Sequence, residues 1–136
     1  MVLDALGELN YLAVLVGALA YFAVGGLWYS PVLFSKPWVR ATGVDPQGGP
    51  PAALYVITVL LSFVASLALA LFARATGAST AVDGAVLGLV AGIGFSVTSL
   101  VVTHLYENRP PVLHFINGGY HLVALIVVGV IVTLWE

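Results

Sequence analysis

The four basic and six acidic residues of this chain all lie between long apolar runs and never inside them. They are Asp4, Glu8, Lys36, Arg40, Asp45, Arg74, Asp83, Glu107, Arg109 and Glu136. The runs they delimit are Leu9–Tyr29, Ala52–Ala73, Gly84–Tyr106 and Val112–Trp135. Each approaches the roughly 20 residues that a helix needs to cross about 30 Å of hydrocarbon. A surface that is 61% hydrophobic and 7% charged would not stay dispersed in water. Peptide groups in hydrocarbon must bond within their own segment, and runs this long and uniform are not the alternating strands of a barrel. The expected fold is therefore an all-α membrane protein, a single four-transmembrane-helix bundle over residues 1–136 with short loops.

The first connection, Ser30–Pro51, is the longest, and its two halves differ in chemistry. In Pro31–Arg40, Val32, Leu33, Phe34, Trp38 and Val39 mix with Lys36 and Arg40, the pattern of an interfacial segment along the headgroups. Thr42–Pro51 is rich in glycine and proline and reads as a flexible turn. The connections near Arg74–Asp83 and Glu107–Pro111 are short enough for tight helical hairpins. Similar pentads, from Ser30 and from Pro110, follow the first and third runs and raise the idea of a duplicated hairpin.

Four crossings put the first and third loops on one side. Lys36, Arg40 and Arg109 stand there against Arg74 on the other, so the positive-inside rule expects loops 30–51 and 107–111 in the cytoplasm and both termini outside. Trp28, Tyr29, Trp38, Tyr55 and Tyr106 are then expected in an aromatic belt at the cytoplasmic boundary, with Tyr11, Phe72 and Trp135 at the opposite one. Acidic Asp4 and Glu8 precede the first run where a signal peptide carries positive charge, so this run is expected to remain as a span.

Gly84, Gly88, Gly92 and Ser96 recur every four residues and make a narrow stripe against which another backbone can pack. Packing within the bundle is the plainer reading of this stripe; a homo-oligomer, or docking on other membrane subunits, is the alternative.

Polar groups inside a bilayer are costly, so each implies an internal hydrogen bond or a site. His114, Asn117 and His121 share one face of the fourth span, and Ser96, Ser99, Thr103 and Tyr106 make a stripe on the third. At about 1.5 Å per residue, Tyr21, Ser62, Ser96, Ser99, Tyr120 and His121 fall in one layer near the midplane. With Asn117 they are candidates to line a ligand site or pore for a small neutral or weakly basic solute, or to hold a lipid- or quinone-like ligand. The plainer alternative is that these groups only bond neighbouring carbonyls and helices.

His104 and His114 flank the third loop beside Glu107 and are weak candidates for a metal, without a ligand-spacing motif to support them. No cofactor is implied. The chain has no cysteine, no run carries a buried carboxylate, and no Ser–His–acid arrangement is recognisable, so enzymatic activity is not expected. A net charge of −2 without a basic cluster argues against a nucleic-acid partner.

Two stretches carry a resemblance. Gly25-Gly-Leu-Trp-Tyr-Ser-Pro-Val-Leu-Phe-Ser-Lys-Pro-Trp38, and Leu105 to Val123 with its Asn-Gly-Gly-Tyr-His core, are similar to the two signature regions of the bacterial membrane family catalogued as domain of unknown function 1761. Asn10–Val16 and Asp83–Leu89 resemble its span openings. The likeness covers nearly the whole chain, and Asn117 and Tyr120 match positions where that family has Asn and Tyr. The resemblance implies a four-helix domain of a bacterial inner membrane and brings no established activity, substrate or cofactor.

Overall fold

The computed structural model describes residues 2–44 and 49–136. Its elements are helical throughout, with no strand among the described residues. A 3-10 turn at Val2–Glu8 precedes α1 (Tyr11–Trp28), α2 (Ser35–Thr42) and α3 (Ala52–Thr76). The third span is α4 (Ala81–Ala91), a π-helical segment Gly92–Val97 and α5 (Thr98–Tyr106); α6 (Val112–Leu134) is the fourth. Four helices are thus long and apolar enough to cross a membrane: Tyr11–Trp28, Ala52–Thr76, Ala81–Tyr106 and Val112–Leu134. This is an all-α, four-span bundle.

Local chemistry sets the helix ends. The Asn10 side chain accepts from the backbone N–H groups of Leu12 and Ala13, and its Nδ2 donates to Trp135 O, tying the start of α1 to the end of α6. Thr80 and Asp83 form a reciprocal capping box at the start of α4. Gly43 and Gly77 stop α2 and α3 with φ of 73° and 75°, left-handed angles that cost a residue without Cβ nothing.

α6 is the central post. Buried residues make up 44% of its most apolar stretch, against 28% in α1, 28% in α3 and 11% in the third span. α1 and α3 pack on α6 and on each other, with Ser66 Oγ donating to Val14 O at 2.8 Å. Gly17 makes room there, since a Cβ on it would stand 2.3 Å from Ser66 Oγ.

α4 packs on α6 at backbone distance. A Cβ on Gly84 would stand 2.4 Å from Gly129 O, one on Gly88 2.3 Å from Leu125 O, and one on Gly92 2.7 Å from the Leu122 side chain. The glycine stripe of the third span therefore faces a sister helix of the same chain. The stripe ends in the π segment, whose wider turn shifts the face that the following residues present. Past it, α5 meets α6 much more sparsely than α4 does.

One expectation from the sequence is revised and one is sharpened. The segment after α1 turns through Ser30–Phe34 into α2, where Lys36 and Arg40 are exposed and Trp38 is half-buried, whereas Pro110–Pro111 leads straight into α6. The similar pentads therefore open different structures. Trp28 and Tyr29, both half-buried, turn their polar ends inward. Trp28 Nε1 donates to Ile116 O at 2.7 Å and Tyr29 OH to Asn117 Oδ1 at 2.7 Å, because both rings find acceptors on α6 that the hydrocarbon lacks. Tyr106, by contrast, is 91% exposed. The expected flexible turn over Thr42–Pro51 falls partly on residues 45–48, which lie outside the described residues.

Candidate functional site: a polar groove beside an aromatic seam

The candidate polar residues sort into two places that meet at His121. The first is a seam between α1 and α6. Tyr21, Tyr29 and Tyr120 meet there edge to face, with Tyr120 5.5 Å from each of the other two rings. Their polar ends are bonded as hydrocarbon demands. Tyr120 OH donates to Tyr21 O at 3.3 Å, Tyr29 OH to Asn117, and the Tyr21 hydroxyl lies 2.5 Å from His121 Nδ1. Glycines make the room: a Cβ on Gly25 would stand 2.9 Å from Tyr120 OH, and one on Gly119 3.0 Å from the Trp28 ring.

The second place is an open groove of about 440 Å³ between α5 and α6, lined by Ser96, Ser99, Leu100, Thr103, His104, Glu107 and His121. Its volume falls within the range of small-molecule sites, which are common between the helices of bundles. Its length follows from helical rise: Ser96 to Glu107 spans about 16 Å, from the middle of the third span to its end. Ser99 and Thr103 are exposed and His104 is 8% exposed, so the groove opens sideways along α5 and is closed against α6.

At the boundary end, His104 and His114 stack with ring centres 5.2 Å apart, and their Nδ1 atoms lie 3.1 Å from each other. This pair pins the otherwise loose end of α5 to α6. Glu107 beside it is paired with Arg109 at 3.3 Å. Among the described residues no group of three His, Asp or Glu side chains is placed to hold a metal ion.

The hydroxyls divide by how they spend their protons. Thr98 and Thr103 donate to carbonyls four residues back on their own helix, as do Thr58 and Ser62 on α3. Ser62 thus satisfies itself at Thr58 O and does not join Tyr21 and His121. Ser96 and Ser99 make no side-chain hydrogen bond to any described residue and line the groove. The structure brings Tyr21, Tyr120 and His121 together, and Ser96, Ser99 and His121 together. Asn117 faces Tyr29, and Tyr106 takes no part in the groove lining.

Sequence reasoning passed over the inward turn of Trp28 and Tyr29. The available signal was small-to-large complementarity, with Gly25 and Gly119 standing opposite Tyr120 and Trp28. It also passed over the π segment, for which Gly92-Ile-Gly94 in mid-span was the only hint.

No curated protein and no solved structure matches the chain. The family model described as "Protein of unknown function (DUF1761)" matches residues 12–133, nearly the whole length, and every part of the seam and the groove lies within it. The chain belongs to that family.

Proposed function

We propose that this protein is a small membrane-embedded binding subunit that takes a ligand with a polar head and an apolar body from the bilayer into the α5–α6 groove. The sideways opening at mid-membrane depth carries this reading. A polar strip that faces hydrocarbon is costly unless something polar occupies it, and Ser96 and Ser99 offer that strip two hydroxyls with no partner among the described residues. The packed rings of Tyr21, Tyr29 and Tyr120 favour a site that ends near the midplane over a solute path crossing the membrane. No catalytic role is assigned to any residue.

A second observation favours an accessory role alongside. The third span buries so little of itself within the chain that a second copy or another membrane subunit has a broad face to engage. By the excess of Lys36, Arg40 and Arg109 over Arg74, the groove mouth at Glu107 faces the cytoplasm.

Native mass spectrometry from lipid nanodiscs tests the binding role. The wild type is expected to retain an amphiphile. Ser99→Phe, which fills the groove at an exposed position without touching the core, is expected to release it. Equal retention by both proteins would contradict the location, and retention by neither would contradict the function.

A further inference from the structure

The recognition chemistry of the groove follows from where one proton sits. A neutral imidazole has one donor and one acceptor nitrogen, and the bond made by one nitrogen fixes the role of the other. Among the described residues, His121 Nδ1 has the hydroxyl of Tyr21 as its hydrogen-bond partner. Tyr120 donates to the Tyr21 carbonyl, not to its hydroxyl, so the Tyr21 hydroxyl has His121 as its one partner among the described residues.

Two arrangements remain. With the proton on Nδ1, His121 would donate to Tyr21, and the phenolic proton of a residue only 7% exposed would point at nothing in a medium without water. With Tyr21 donating, both groups are satisfied and the imidazole keeps its proton on Nε2. The second arrangement avoids the cost of an orphaned buried donor. His121, which belongs to the groove wall, then presents an N–H and no lone pair.

Ser96 lies close by. Gly92 faces Leu122 and Val97 faces Gly118, which sets Ser96 and His121 within about one helical turn of each other along the bundle axis. Ser96 and Ser99 still have protons to give, whereas Thr103 has already spent its own on Ser99 O.

We infer that the groove floor is a donor cluster, His121 Nε2–H with the Ser96 and Ser99 hydroxyls, that selects a carbonyl-bearing head on an apolar tail, the chemistry of a quinone or a fatty ester. The inference rests on the binding role proposed above and adds what that role left open, the polarity of the head. Tyr21 is a positioning residue: it touches no ligand and acts by holding the His121 proton on the groove side.

Two measurements test it. Nitrogen NMR of histidine-labelled protein in nanodiscs is expected to show His121 protonated at Nε2 and bare at Nδ1, and Tyr21→Phe, which keeps the ring but removes the hydroxyl, is expected to mix the tautomers. A His121 protonated at Nδ1 in the wild type would overturn the inference. Equilibrium binding then compares a decyl benzoquinone with its hydroquinone, and methyl decanoate with decane. Each carbonyl compound is expected to bind about tenfold more tightly than its partner, the effect of one or two hydrogen bonds, and Tyr21→Phe is expected to narrow the ratio. Whichever carbonyl binds better identifies a quinone or a lipid-ester source. Equal binding within each pair would overturn the donor-cluster inference and leave the binding role standing, while no binding by any of the four would remove both.

Discussion

Single residues in this chain are constrained chiefly by how closely backbones approach. Gly88 is the sharpest case, because an added Cβ collides with the Leu125 carbonyl and the neighbouring Cα of Ile126 rather than with a side chain that can swing away. Gly88→Val is expected to force α4 off α6 and lower stability by about 1–3 kcal/mol, as overpacking does in well-packed cores. Gly94→Ala is the control: its Cβ meets nothing within 4 Å, so stability is expected to stay within about 0.5 kcal/mol of wild type. Reversible unfolding in mixed micelles measures both. The glycine stripe itself was legible from its four-residue spacing, but its partner was not. A small-residue repeat reports that something comes close, and only the fold shows that Gly84 meets Gly129. The seam was half legible: depth counting put Tyr21, Tyr120 and His121 in one layer, whereas the bonds among them depend on the rotation of α1 about its axis, which an almost uniformly apolar helix does not encode.

At the scale of elements, the third span behaves as two helices with different duties. α4 is held to α6 by close backbone approach at Gly84 and Gly88, and α5 is held by few contacts besides the His104–His114 stack. The π segment is the joint between them. Deleting Gly94 is expected to turn the π segment into ordinary α-helix and to leave α5 facing as it does, because the wider turn takes about one residue more to cover the same arc. Thr103 then stays in the groove and His104 beside His114. The chain has no cysteine, so Thr103→Cys gives a single reporter; its labelling by a water-soluble maleimide is expected to change little in the deletion. A several-fold fall would mean that the π turn does not absorb the extra residue. The sequence could not reveal this joint, because an extra residue per turn leaves hydropathy unchanged along an apolar run. α2 was more legible: its mixture of basic and apolar residues pointed to the boundary, although the inward turn of Trp28 and Tyr29 beside it did not show in composition.

For the whole molecule, the decisive information was the exclusion of charge from four runs, and the spans follow from it within a few residues at each end. Hydrocarbon forces the helices, and the chain then has only its small and polar residues with which to choose how they assemble. The result is a bundle drawn tight where the start of α1 meets the end of α6 and loosened at the other end. There the first half of α3 is exposed and α5 stands off, so the polar groove lies open at the side of the bundle. Spin-label accessibility in lipid bilayers measures that opening, with a nitroxide at Ser99 in the groove and one at Val102 on the lipid-facing side of the same helix. A groove open to the bilayer makes the Ser99 label collide with dissolved oxygen nearly as often as the Val102 label. A Ser99 label shielded to a small fraction of that rate would mean that α5 closes on α6 and that no such groove exists in the membrane.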